Sequence, residues 1–257
     1  MSDSPKETED VLLEQYGSSL LEYRKSRSGL FLSALAGGLE IGFSVVLMGL
    51  LYTTFHDKLS EEVLHVLVAM GYPLGFIFVI IGGSQLFTEQ TSLAMIPFLK
   101  GSVAFKELLK LWGFVLLGNI IGASLFASFI SWIGPAHKVV SAESLVSFAE
   151  TMIKPEWYIV AGSAVLAGWM MGLLGWLLTS AQETISRIFL VALVTFVIGY
   201  GKLHHCVVGT VELVAGLIHS PDPNLGVYLS TLALTVVGNL IGGAVFVAVL
   251  RYSIHKL

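Results

Sequence analysis

The sequence predicts an all-α membrane protein, with six transmembrane segments in an inverted 3+3 repeat and two broken helices. Three observations carry this reading: an excess of apolar residues, two apolar segments interrupted by polar residues, and a short motif that occurs twice at similar distances from the interruptions. Of the 257 residues, 55% are hydrophobic and 12% charged, and mean hydropathy is +0.82. A soluble domain of this length cannot hide so much apolar surface, so lipid is the implied solvent. Residues 1–27 are polar and acidic and end in "EYRKSRS", so no signal peptide is visible. One cysteine, Cys206, excludes an internal disulfide framework. No basic patch or reading motif supports a nucleic-acid partner.

A spanning helix needs roughly 20 apolar residues. Six segments meet that need: 29–54, 64–98, 108–133, 157–179, 187–219 and 225–250. The second and fifth are too long for one straight crossing, and each has Gly and polar residues near its middle. These are "GGSQLFTEQT" (82–91) and "GYGKLHHCVVGT" (199–210). Both read as broken helices, because irregular backbone at that depth needs protein or a watery cavity around it. With the N-terminus inside, ten of the 14 Lys and Arg fall on the cytoplasmic side, from Lys6 and Arg24 to Arg251 and Lys256. Only Lys58, Lys138 and Lys154 fall outside, and Lys202 is intramembrane, which satisfies the positive-inside rule. The expected organisation is a cytoplasmic segment 1–27 and a transmembrane domain 28–257, with halves at about 28–133 and 157–252.

The repeat lies in "LLGNIIGASLF" (116–126) and "VVGNLIGGAVF" (236–246). Gly118-Asn119 matches Gly238-Asn239, each downstream of a broken segment, and the small residues allow close helix approach. Three crossings per half force the second copy to be inverted. Inverted repeats with discontinuous helices are a transport architecture, and the breaks point to the site. Aligning "LFT" (86–88) with "LHH" (203–205) makes Thr88 and His205 counterparts.

The run "GGSQLFT" (82–88), "GNIIGA" (118–123), "HHCVVG" (204–209) and "GNLIGG" (238–243) resembles the formate/nitrite transporter family, over residues 20–252. That resemblance implies an aquaporin-like protomer in a homopentamer, each with its own pore. It implies passage of a small monovalent anion such as formate, nitrite, hydrosulfide or lactate, commonly with a proton, and no cofactor. The family's pore histidine falls on His205 and its threonine on Thr88, with Leu86 and Phe87 lining an apolar constriction. The bacterial cytoplasmic membrane, with both termini inside, is the expected location. The chain departs from the family pattern at Gly209, where formate channels have asparagine, and at His204, where they have an acid. It also departs at Glu89, which follows "LFT" directly, and near Gly168, where a fourth-helix asparagine is replaced.

A charge at the bilayer centre costs ~2.5–3.5 kcal/mol on insertion scales, so each such residue needs a partner or a task. His205 reads as a proton donor to an anion, since a reference pKa of ~6.5 permits exchange near neutrality; the plainer role is a neutral bond between helices. His204 and Cys206 do not make a metal site with it, because helix neighbours diverge and no other ligands are at hand. His204 is expected to pack or to support its neighbour. Thr88 suits the N-cap of the helix after the first break and also a contact with His205. Glu89 and Lys202 flank the two breaks, and an ion pair is the favoured reading; the alternative has Lys202 attracting anions in a vestibule. Glu40 and Glu212 are acids without an assigned partner. Trp112, Trp132 and Trp157 are expected as interfacial anchors, and the remaining histidines as surface residues. Residues 11–27 have the mixed pattern of an interfacial helix. An intramembrane hydrolase using the His pair would need a nucleophile or metal near its base, and no such motif is present.

Overall fold

The computed structural model describes residues 6–255, so Lys256 of the charge count lies outside them, as does the side chain of His255. Among the described residues every regular element is helical. Helix α1 (Thr8–Arg24) precedes the first long span α2 (Arg27–Phe55). The second span runs as α3 (Glu61–Ala69), α4 (Pro73–Gly82), α5 (Phe87–Leu93) and α6 (Met95–Leu99). Then come α7 (Phe105–Ala136), α8 (Ala142–Ile153) and α9 (Trp157–Ser180). The fifth span divides into α10 (Thr184–Tyr200) and α11 (Cys206–His219). The chain closes with α12 (Leu225–Gly243), a π-helical turn over Ala244–Val249, and α13 (Leu250–His255). Among the described residues five stretches are long and apolar enough to cross a membrane, and the shorter α10 and α11 flank the second break.

Helix pairing follows from the small residues in the repeated motif. A Cβ on Gly38 would run into the Asn119 backbone oxygen, and one on Gly122 into that of Leu35. The second half has the same contacts: Gly168 against Asn239, and Gly242 against Val165. Thus α2 lies on α7, and α9 on α12, at backbone contact distance. A constant offset of 130 residues relates α2 to α9, and one of 120 relates α7 to α12, at these positions.

Two expectations need correction here, and one helix lies outside the expected spans. Residues 11–24 are not a helix that only lies on a surface: part of their apolar side packs on protein, while Leu13 and Leu21 are exposed. Val11 and Leu12 pack against Ile96 and Trp176, and Gln15 donates to the Gly175 oxygen at 3.2 Å. Trp112 is not an interfacial anchor; it is buried, and its Nε1 donates to the Gln90 oxygen at 2.9 Å, whereas Trp132 and Trp157 are about 70% exposed (69% and 71%). The helix outside the expected spans is α8, between the third and fourth. That helix buries Leu145, Phe148, Ala149 and Met152, an i, i+3, i+4, i+7 face.

Candidate functional site

The two breaks are built on one plan. At the first, the side chain of Asn119 accepts from Phe87 N (2.8 Å) and donates to the oxygens of Ala34 (2.7 Å) and Gln85 (2.8 Å). At the second, Asn239 accepts from Cys206 N (2.8 Å) and donates to the oxygens of Ala164 (2.7 Å) and His204 (2.9 Å). Each amide satisfies the two backbone groups that interruption of the helix orphans, and ties the break to a carbonyl of a continuous neighbouring helix, Ala34 or Ala164. Both asparagines are fully buried. They were expected only as packing residues, but they hold the breaks open.

This geometry also fixes the repeat register. Gln85 corresponds to His204, Leu86 to His205 and Phe87 to Cys206, an offset of 119. The side-chain alignment of "LFT" with "LHH" is therefore off by two residues, and the counterpart of His205 is Leu86. The same offset pairs Gly83 with Lys202. Both adopt left-handed backbone, φ 79° and 50°, which only glycine accommodates without steric cost.

Thr88 is not the N-cap of α5. That helix begins at Phe87, its N-cap is Leu86, and Asn119 supplies the capping oxygen from α7. The Thr88 hydroxyl is thereby free for another task. Thr88 Oγ1 lies 2.8 Å from His205 Nε2, and both residues are buried. His205 is itself the N-cap of α11, and its Nδ1 accepts from Val208 N at 3.4 Å. In the neutral ring that acceptor leaves the proton on Nε2, directed at Thr88 Oγ1. Phe76 packs edge-on to the imidazole, with centroids 5.1 Å apart. Phe76, Leu86, Phe87, Thr88 and His205 are all at most 2% exposed, so this centre is closed to water.

A cavity opens on either side. The one on the α1 side has a volume of about 620 Å³ and includes Gln85, Glu89, Gln90 and Arg187 in its lining. The other, of about 340 Å³, is lined by Tyr72, Phe148, Lys202, Leu203 and Glu212 among others. Glu89 and Lys202 thus belong to different cavities, and the expected ion pair is not made. The reason is helix length. At 1.5 Å per residue, the 17 residues of α10 extend about 25 Å, well past the middle of a hydrocarbon layer of ~30 Å. The chain overshoots before turning back, which delivers Lys202 to the far cavity. Glu89 starts the return towards the α1 side.

His204 faces away from the centre and ties three elements together. Its Nε2 donates to the Met152 oxygen at 3.0 Å, and its Nδ1 lies 2.9 Å from Ser163 Oγ, which also accepts from His204 N at 3.0 Å. Met152 also occupies the space beside Gly209, where a Cβ would meet its Cε at 2.6 Å. Two departures from the family pattern, His204 and Gly209, are therefore one packing unit that docks α8 onto the second break. No group of three or more His, Cys, Asp or Glu side chains is arranged for a metal ion among the described residues.

Comparison with known proteins agrees with this architecture. The formate/nitrite transporter family model matches residues 12–253. The chain is 29% identical over 238 residues to the inner membrane protein YfdC of Escherichia coli K12, covering 90% of this chain and 74% of that one. It is 22% identical to the formate channel FocA of Haemophilus influenzae, covering 94% and 92%. Among solved structures, an FNT family ion channel superposes with a TM-score of 0.83 at 18% identity, covering 95% and 98%. A pentameric formate channel with formate bound superposes with a TM-score of 0.76 at 18% identity, covering 90% and 98%. The paired breaks, the buried asparagines beneath them and the match over nearly the whole chain lead to one conclusion: this protein belongs to the formate/nitrite transporter family.

Proposed function

We propose that the protein carries a small monocarboxylate, formate or a close analogue, across the bacterial cytoplasmic membrane together with a proton. The observation that carries this reading is the His205–Thr88 contact, sealed between two cavities by apolar side chains. A charged anion meets a desolvation barrier at Leu86, Phe87 and Phe76, since taking an ion out of water costs far more than taking out a neutral acid. A weak-acid anion that gains a proton near His205 crosses as a small neutral molecule. His205 holds a proton at Nε2, and the Thr88 hydroxyl, with no other acceptor among the described residues, can turn its own proton to the passing oxygen. Nitrite, hydrosulfide and lactate are further weak-acid anions that suit the same route.

The assembly is a homopentamer embedded in lipid, with residues 1–27 and both termini on the cytoplasmic side. The likeness to a pentameric channel supports the first point, and the distribution of Lys and Arg supports the second. The test is uptake of labelled formate into liposomes containing the protein, with nitrite, hydrosulfide and lactate in parallel. An inward proton gradient is expected to accelerate formate uptake, and glycerol is expected to produce no osmotic swelling above protein-free liposomes. Absence of uptake for every anion tested, or swelling in glycerol, would overturn the reading.

A further inference from the structure

The far cavity holds a carboxyl that no other group claims. Glu212 lies on α11, lines that cavity and is only 8% exposed. Its side chain makes no hydrogen bond or ion pair among the described residues, and its oxygens are open to the cavity rather than shielded from water. A carboxyl at membrane depth needs a partner or a task. The fold does not demand an acid here. By the offset of 119, the counterpart of Glu212 is Leu93, which lines the α1-side cavity.

The position of Glu212 relates it to the centre. His205 is the N-cap of α11, and Glu212 follows seven residues later. That is close to two turns, about 10 Å along the axis on the same side of the helix. Stacked rings also link the cavity wall to the imidazole. Tyr72 lines the cavity and stacks on Phe76 with centroids 5.4 Å apart, and Phe76 packs edge-on to His205. The ionisable groups that share the cavity are Tyr52 of α2, Glu61 and His65 of α3, Tyr72 and Lys202. Helices α7, α8 and α12, which also pack on α11, add no described titratable group to its lining. His65 is engaged with the Tyr200 oxygen at 2.7 Å, and Lys202 makes no ion pair with Glu212.

We propose that Glu212 is the proton-exchange group of the far cavity, the point at which the closed centre is linked to water on that side. In its acid form it gives its proton to an anion that has entered the cavity. The Glu212 O–H bond breaks, an O–H bond forms on a carboxylate permeant such as formate, and Glu212 is left as a carboxylate. Water on the far side then returns a proton to it. The permeant moves on towards Phe76 and His205 as a neutral acid, so the proton joins it before the desolvation barrier. In the reverse direction the carboxylate takes the proton from the acid and releases an anion to water. This inference rests on the reading that a weak-acid anion crosses with a proton. His205 remains the exchange point of the closed centre, and Glu212 is its outlet.

Two measurements test the proposal. The first is formate uptake by cells producing the wild type, Glu212→Gln or Glu212→Asp, at a series of external pH values. Glu212→Gln is expected to lower uptake about tenfold, less than the ~100-fold loss of a strictly required general acid, because water in the cavity also carries protons. Its remaining uptake should follow only the pH dependence of formic acid formation in water, and Glu212→Asp should recover most of the rate. The second is modification of the assembled wild type by dicyclohexylcarbodiimide, an apolar reagent that adds to protonated carboxyls, with the modified residues located by mass spectrometry. Glu212 is expected to react, more slowly as pH rises and more slowly when formate is present. Unchanged uptake in Glu212→Gln would overturn the proposal. So would equal losses in the Gln and Asp variants with a wild-type pH profile, which would assign Glu212 a purely structural role. Where a variant fails to assemble, the carbodiimide decides: modification of Glu212 that formate slows supports the proposal, and its absence overturns it. A wild type that carries no weak-acid anion would overturn the proposed function itself; one that carries formate with a proton while Glu212→Gln matches it would overturn only this inference.

Discussion

The first and second breaks share a backbone and differ in their chemistry. Asn119 and Asn239 make the same three bonds with distances that agree within 0.1 Å. Yet Leu86 stands opposite His205, and Gln85 opposite His204. Thr88 answers to Val207 by the same offset. The shared positions make the fold, and the unlike positions concentrate the chemistry. A pore with identical halves would hold two histidines or none at its centre. This one has a single imidazole, with Thr88 from the other half as its partner.

The comparison breaks most severely at the asparagines. Asn119→Leu and Asn239→Leu each leave one N–H and one carbonyl at the break unpaired and remove a further bond to the neighbouring helix, and each orphan costs about 1–3 kcal/mol. Both variants are expected to lose several kcal/mol and most of the assembled protein, by about the same amount; detergent size exclusion and thermal melting would measure it. A mild effect in one half alone would show that the breaks are not equivalent.

The second effect is on transport. His205→Phe keeps the aromatic volume and removes the proposed proton donor, with an expected fall in proton-linked uptake of about 100-fold, the lower range for loss of a general acid. Thr88→Val should lower uptake about tenfold, as it removes one bond at the same centre. His204→Gln should act mainly on the docking of α8 and hence on stability. Coupled uptake that survives intact in a folded His205→Phe protein would sink the proposed mechanism.

Packing gives a smaller and more symmetrical effect. Gly38→Ala and Gly168→Ala each force a methyl group against a backbone oxygen of the partner helix. Overpacking of this kind costs about 1–3 kcal/mol, and the two melting shifts should agree. The smallest effect is at the left-handed positions. Lys202→Gly relieves about 1 kcal/mol of backbone strain, and Gly83→Ala introduces a similar cost. Lys202→Met retains the strain but removes the charge, so the pair of Lys202 variants separates backbone from electrostatics in melting and uptake.

Much of the fold was legible in the sequence because it depends on periodicity and on small residues at fixed spacing. Apolar length and the twice-used Gly-Asn…Gly pattern place the spans and pair α7 with α12. Helix α8 carries its own apolar face in Leu145, Phe148, Ala149 and Met152, although it lies outside the expected spans. The function of Asn119 was not, because it acts on a backbone amide 32 positions earlier, across the interface with another helix. The repeat register was misread because side chains of similar appearance, "LFT" and "LHH", do not occupy equivalent backbone sites. The Glu89–Lys202 pair failed for a geometric reason: adjacency to a break does not say to which side an overshooting helix delivers its last residues. Trp112 lies where an interfacial anchor would, and only the packing of α7 against α5 turns its ring inward.

The asparagine clamps also bear on how the chain is made. Residues 83–86 and 201–205 leave the ribosome well before the side chains that will hold them, and each clamp resides on the next crossing of its half. The first broken span must therefore enter the bilayer with its central amides unclaimed and wait until α7 arrives. The second must wait for α12. Until then wet protein cavities or the insertion machinery must shelter those groups, because lipid supplies no hydrogen bonds. Closure of the central passage is thus a late event in biogenesis. Nascent chains arrested before Asn239 should remain open to protease at residues 201–205, while chains arrested after it should be protected.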